Sequence, residues 1–429
     1  MDIKRAILAD LIDHLNKTEI TVIIGPRQVG KTYLMRQMLA NAQSQNQKTV
    51  YLNLDIEDHR HYLESQSTFI DYLHLQLGNR KGIVFLDEIQ RKINTGLFLK
   101  GLYDMGLPYK FVVSGSGSLD IKAHIKESLA GRKRVFEIPP ISFSEFVNFK
   151  TKYQYEKKLA EYFKVERSET LRLLEEYMKF GGYPKVILAP TAKEKKIEIE
   201  EIYSGYVEKD VIGLLQVEKS DAFSSLLKII ASQIGQLVNL SELSSTLRLS
   251  HQTVQKYLWY LEQTYIISKS TPFHTNLRSE ISKSPVYYFT DMGLRNYLLG
   301  LFGIPAIPSV LAGHLFENTI FNHLQKPVHF WRTTDNAEVD FVINTPLFPI
   351  PIEAKYRELL KPVISRSYQN FLSKYSPKTG YIVHLGEEMH QQKNLTKVRF
   401  LPFWKILTDP NILVGNFGLL RREASEAGK

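Results

Sequence analysis

Gly25, Pro26, Arg27, Gln28, Val29, Gly30, Lys31 and Thr32 have the types and the spacing to grip a chain of phosphates. They follow the pattern G-x-x-x-x-G-K-[ST], preceded by the apolar run Thr21-Val22-Ile23-Ile24 and followed by helix-forming residues from Tyr33 to Ala40. That strand–loop–helix setting is the one the pattern needs. The glycines let the backbone curl until successive N–H groups point at phosphate oxygens. The helix N-terminus adds partial positive charge at the same spot. Lys31 then reaches the outer phosphates, Thr32 offers its hydroxyl to Mg²⁺, and Tyr33 completes the binding set. ATP or ADP is the expected ligand and Mg²⁺ the expected cofactor.

A second group of residues suits hydrolysis. In Ile83-Val84-Phe85-Leu86-Asp87-Glu88, four apolar residues read as a buried strand with two carboxylates at its tip. Asp87 can hold the hydration shell of Mg²⁺, and Glu88 can polarise the water that attacks the γ-phosphate. Ser114, in Ser114-Gly115-Ser116, stands at the end of the next strand. It either senses the γ-phosphate or is simply part of a Ser/Gly turn. Arg132, within Leu129-Ala130-Gly131-Arg132-Lys133-Arg134, is either an arginine finger for a neighbouring subunit or part of a solvated basic face.

A third group lies far downstream. Asp340 sits in the strand-like run Glu338–Ile343, and Glu353 and Lys355 in Ile350–Tyr356. Residues two apart on a strand share a face, so Glu353 and Lys355 point together. Asp340 and Glu353 can bracket a divalent cation, Glu317 can add a ligand, and Lys355 can steady an attacking water or a scissile phosphate. The alternative is alternating charge on a solvent-facing edge.

The positioning elements follow from periodicity. Five strand-like runs, Ile20–Ile24, Thr49–Leu54, Ile83–Leu86, Phe111–Val113 and Arg134–Ile138, alternate with helical segments, which predicts a parallel sheet covered on both faces. Ligands of such sheets sit beyond the carboxyl ends of the strands. From Phe143 to Lys179 the pattern is helical, with 150–166 read as an exposed connection and Gly181-Gly182-Tyr183-Pro184 as a break. A further helix is expected from Glu198 to Leu215. Between Ala222 and Tyr265 three helices are expected, the third running from His251 and capped by Ser250. With strand-like pieces at Tyr265–Lys269 and Val286–Thr290 they predict a winged helix-turn-helix. Its second helix would offer His251, Gln252, Gln255 and Lys256 to a major groove, or else serve protein contacts. A helix from Gly313 to Leu324, strands at Val328–Trp331, Glu338–Ile343 and Ile350–Tyr356, a helix from Val363 to Tyr375 and a strand at Tyr381–His384 complete the expectation.

Bulk composition sets outer limits. A chain of 429 residues with 43% hydrophobic content supports two to four domains with full cores. The net charge of +10 fits an anionic partner such as DNA, or a solubilising surface. The absence of cysteine excludes disulfides, thiolate zinc sites and a cysteine nucleophile. The N-terminal segment mixes charges into an amphipathic pattern unlike a signal peptide. No stretch approaches ~18 apolar residues, so no membrane association and a cytoplasmic location are expected. Residues beyond Arg421 read as a polar tail.

Taken together, these residues resemble a prokaryotic family of AAA-like ATPases fused to a C-terminal domain of unknown function with a restriction-endonuclease-like core. The similarity runs through Gly25–Thr32, Leu86-Asp87-Glu88-Ile89-Gln90, Ser114-Gly115-Ser116, Leu129-Ala130-Gly131-Arg132, Ser142-Phe143-Ser144-Glu145-Phe146, Gly181-Gly182-Tyr183-Pro184 and His314-Leu315-Phe316-Glu317-Asn318. It ends with Trp331-Arg332-Thr333, Glu338-Val339-Asp340-Phe341 and Ile352-Glu353-Ala354-Lys355, a pattern of the PD-(D/E)XK type in which Val339 replaces the proline. The resemblance implies ATP binding and leaves DNA cleavage open. The expected fold class is α/β: a P-loop NTPase parallel sheet over residues 1–145, a helical lid over 146–218, a winged helix-turn-helix over 219–292, an α/β nuclease-like domain over 293–420 and a tail over 421–429. A homo-oligomer follows only if Arg132 acts in trans.

Overall fold

The computed structural model describes residues 2–115, 129–207, 219–273 and 284–413. Ser116, the end of the expected helix at Leu215 and the C-terminal tail lie outside the described residues.

The N-terminal sheet is parallel and five-stranded: β1 (Ile20–Ile24), β2 (Lys48–Asn53), β3 (Gly82–Asp87), β4 (Tyr109–Ser114) and β5 (Lys133–Glu137), in the order β2-β3-β4-β1-β5. Strands β1, β3 and β4 are buried along their whole length, which is why they read as unbroken apolar runs. One face packs on the Lys31–Ser44 helix through Leu34, Met35 and Met38. The other packs on Phe69, Leu73, Phe98 and Leu99 of the Gln66–Leu77 and Thr95–Asp104 helices. Because β1 lies between β4 and β5, the loop after β1 opens between their carboxyl ends.

The helical region begins with a capping box at Ser142 and Glu145, opening the Phe143–Lys150 helix. The stretch 150–166 is not merely an exposed connection. It contains the helix Leu159–Val165, whose Phe163 stacks on Phe143 and on Trp404 near the C-terminus. A second capping box, Thr191 with Glu194, opens the Ala192–Ile202 helix, six residues ahead of the expected start at Glu198. Between these helices, Gly181 turns at φ 76°, and a Cβ there would meet the Asp291 carboxylate at 2.4 Å. Asp291 caps the Met292–Leu298 helix by accepting from Leu294 N at 2.9 Å, and it also accepts from Gly182 N at 2.6 Å. Burial pushes its carboxyl up to about 6 against those donors. The glycine pair is therefore needed where the helical region presses on the second half of the chain.

Three helices follow, Ser220–Ser232, Leu240–Leu247 and His251–Gln263, and then the antiparallel pair β6 (Ile267–Pro272) and β7 (Val286–Phe289). Ser250 caps the third helix through Thr253 N. After the Ser309–His323 helix come β8 (His329–Arg332), β9 (Glu338–Ile343), β10 (Ile350–Lys355), β11 (Thr379–His384), β12 (Met389–Lys393) and β13 (Thr396–Pro402). They form one eight-stranded sheet in the order β12-β13-β11-β10-β9-β8-β6-β7. Thus β6 pairs in parallel with β8 through Thr271 and His329, and the sheet crosses the boundary expected at 292. One continuous apolar core runs from Met35 through Phe143, Tyr177, Phe223 and Tyr288 to Phe316 and Phe403. Among the described residues no helix is long and apolar enough to cross a membrane.

Candidate functional site

The loop after β1 owes its shape to two glycines and one strained residue. Gly25 stands at φ 148°, and a Cβ there would lie 2.4 Å from the Ile138 carbonyl oxygen at the end of β5. Gln28 at φ 59° and Gly30 at φ 95° turn the chain into the Lys31–Ser44 helix. Left-handed backbone is sparsely populated for a residue such as Gln28 and clusters at ligand sites. Its buried Oε1 has no hydrogen-bond partner among the described residues.

Lys31 is only 6% exposed. Its Nζ donates to the carbonyls of Gly25 at 3.1 Å and Pro26 at 2.6 Å, so the ammonium curls back over the loop that a phosphate chain would occupy. Burial lowers its pKa to about 8, while Glu88 and Asp87 pull the other way. Asp87 is fully buried at the tip of β3. It accepts from the Tyr51 hydroxyl at 2.8 Å and from Ser114. The Glu88 backbone, left-handed at φ 54°, donates to Asp87 Oδ1 at 3.2 Å and to Ser114 Oγ at 3.4 Å. Gln90 donates to the Glu88 carboxylate. Ser114 thus joins the end of β4 to the Asp87 carboxylate and the Glu88 backbone.

These residues open on a cavity of about 570 Å³, lined by Gly30, Lys31, Thr32, Tyr33, Glu88 and, from the helical region, Lys185. Small-molecule sites span roughly 300–1,000 Å³. The unpaired Gln28 oxygen and the loop's glycines fit a polar ligand. The Thr32 hydroxyl and the Asp87 carboxylate are oxygen groups of the kind Mg²⁺ accepts as ligands.

Sequence reasoning missed Arg5. Its guanidinium donates to the Val29 carbonyl at 2.9 Å, the Pro139 carbonyl at 2.8 Å and Glu145 Oε1 at 3.2 Å. One side chain therefore ties the phosphate-binding loop to the start of the helical region. Tyr51 was missed as well, since its own strand shows no sign of the acid across from it.

Arg132 does not line this cavity. It precedes β5, next to Ile20 at the start of β1, at the opposite end of the sheet from Gly25–Thr32. Its Nε pairs with Asp104 at 2.6 Å. The fold does not bring it to the loop of its own chain.

The downstream acids lie close enough to perturb one another, and each also has a partner of its own. Glu353 and Lys355 do share a face, with Nζ 2.5 Å from Oε1, and Ser365 Oγ donates to the other Glu353 oxygen at 3.1 Å. Asp340 accepts from Ala354 N at 2.7 Å, and burial, aided by Glu353, raises its carboxyl to about 7. Glu317 accepts from the Tyr288 hydroxyl at 2.6 Å, and burial, aided by Asp340, raises it well above the usual range. Glu317 and Asp340 line a small cavity of about 100 Å³ that Glu353 does not. Among the described residues no group of three His, Asp or Glu side chains is placed to hold a metal ion. Of the expected set, Glu317 meets the Tyr288 hydroxyl, Asp340 the Ala354 amide, and Glu353 both Lys355 and Ser365.

On the third helix of the central region, His251, Gln252, Gln255 and Lys256 are all exposed, and Trp259 is 48% exposed beside them.

Residues 17–147 match the AAA domain family. The glycine-rich loop, Asp87, Glu88 and the five-stranded parallel sheet all fall within that match, which supports a P-loop AAA-like domain in the N-terminal part of the chain. Residues 171–304 match a domain of unknown function, DUF8612, and residues 312–406 match another, DUF4143. An uncharacterized protein of Methanocaldococcus jannaschii is 27% identical over 352 residues, 79% of this chain and 75% of the relative. An uncharacterized protein of Mycobacterium tuberculosis is 25% identical over 416 residues, 95% of this chain and 86% of the relative. Among solved structures, AMPPCP-bound DnaA from Aquifex aeolicus aligns over 60% of this chain and 86% of its own, at 14% identity and a TM-score of 0.26, too low to bear on the fold.

Proposed function

We propose that this chain binds ATP with Mg²⁺ in the AAA domain and hydrolyses it. The carrying observation is that Lys31, Thr32 and Glu88 face one cavity at the carboxyl end of a parallel sheet, with Asp87 buried behind them. The glycine-rich backbone from Gly25 to Gly30 cradles the phosphates, and Lys31 leaves its carbonyl partners for the outer ones. Glu88 accepts the proton of the attacking water. Ser114, bonded to the Asp87 carboxylate and the Glu88 backbone, reports the γ-phosphate to β4. Thr32 and Asp87 would hold Mg²⁺, which supplies charge neutralisation on the phosphates. Lys31→Ala should lower turnover by about 10²-fold or more, the scale of one lost charge contact to the transition state. Calorimetric titration with ATP and a phosphate-release assay test this. Undiminished turnover in that variant refutes the assignment.

The finer reading is that nucleotide gates an action on nucleic acid. The exposed row His251, Gln252, Gln255 and Lys256, on a capped helix next to a β-hairpin, supports DNA as the partner. A homo-oligomer would be the setting in which Arg132 reaches a neighbour's phosphates. The Glu353–Lys355 ion pair and the hydrogen bonds that already engage Asp340 and Glu317 favour a C-terminal domain that docks or binds without cleaving. Supercoiled plasmid should accordingly stay intact with the protein and Mg²⁺ or Mn²⁺, with or without ATP. Nicking that vanishes in Asp340→Ala would restore the nuclease.

A further inference from the structure

The end of the parallel sheet opposite the nucleotide carries a second recess, of about 680 Å³. It is lined by Lys17 before β1, Lys48 at the start of β2, Arg80 and Lys81 before β3, and Lys110 at the start of β4. Five cations converge there from four separate segments. No Asp or Glu among the described residues lines the recess. Lys110 is buried at its floor, with Nζ donating to the Glu19 carbonyl and lying 3.3 Å from His14 Nδ1. Burial lowers its pKa to about 8, and Glu19 is the carboxylate that counters this. Lys48 is anchored by the Leu77 carbonyl at 3.1 Å, whereas Lys17, Arg80 and Lys81 are exposed at the rim. Asn16, Asn46 and Gln47 add amide donors between the charges.

Packing like charges around a concave surface costs stability through mutual repulsion, so a polyanion that enters it gains from every cation at once. Four of the five are lysines, point charges that suit phosphate without demanding a planar fork. We propose that this recess binds the phosphate backbone of a single nucleic-acid strand. An unpaired strand can bend its phosphates down to Lys110 one at a time, while a stiff duplex meets only the rim. The site is separate from the nucleotide cavity and from the exposed helix face, and the proposal depends on neither.

The test is fluorescence anisotropy of a labelled oligothymidylate with the full chain across a salt series. The double variant Lys17→Glu/Lys81→Glu should weaken binding about tenfold or more. The slope of log affinity against log salt should shrink by about 1.4, the share of two lost contacts on a single strand. Both side chains are exposed, so ATP turnover should stay at the wild-type level. The milder pair Lys17→Gln/Lys81→Gln should show the same direction with a smaller loss. Unchanged affinity and slope in both double variants would overturn the site. Displacement of the label by tripolyphosphate as effectively, phosphate for phosphate, as by unlabelled oligothymidylate would also overturn it, by marking a pocket for small anions.

Discussion

Glu88→Gln is expected to cut ATP turnover by about 10²–10⁴-fold, the usual contribution of a general base, while leaving ATP affinity near wild type. Glutamine keeps the size of the side chain and can still accept from Gln90, so the left-handed turn at φ 54° and the Asp87–Ser114 contacts are retained. What disappears is the capacity to take a proton from water. Glu88 lines the cavity, whereas Asp87 lies buried behind it, tied to Tyr51 and Ser114. The two adjacent acids therefore have different work, and the conservative change separates them. Single-turnover hydrolysis paired with calorimetric ATP binding gives the answer. Turnover within a few-fold of wild type would move the base elsewhere.

Arg5→Ala should destabilise the chain by about 3–5 kcal/mol, the range for removing one partner of a buried ion pair. The Arg5 and Glu145 side chains are only 4% and 10% exposed. Without the guanidinium, Glu145 keeps a buried charge, and the carbonyls of Val29 and Pro139 lose their donor. Since Val29 belongs to the phosphate-binding loop, ATP affinity should fall together with stability. Arg5→Lys preserves the charge but not the three-way fork, so it should recover only part of the loss. Urea unfolding, with and without ATP, measures both effects. A midpoint unchanged by Arg5→Ala would show that the clamp contributes nothing.

What could be read from the sequence was whatever is local. Gly25 to Thr32 needs only its own backbone to make a phosphate cradle, and β3 announces Asp87 and Glu88 because a buried strand must end where its charges begin. The five parallel strands were legible to within a residue or two for the same reason. What could not be read depends on distance or on polarity. Arg5 meets Glu145 from 140 positions away, and nothing near either residue signals the other. Strand β12, Met-His-Gln-Gln-Lys, lies at the sheet edge with no buried residue to give it an apolar alternation. The segment 150–166 hides Phe163 among charges, and its burial becomes visible only once Trp404 is brought beside it. For the downstream acids, strand periodicity placed Glu353 and Lys355 on one face, but it could not tell a metal ligand from an ion pair.

The pairing of β6 with β8 has a practical consequence for anyone dissecting this chain. A fragment cut after residue 292 would leave β8 with a bare edge of unpaired N–H and C=O groups, where Thr271 and Pro272 now lie alongside His329 and Phe330. Such an edge recruits whatever strand it meets, and precipitation is its usual fate. The last third of the molecule is better handled with its hairpin attached, as a piece that begins upstream of Ile267.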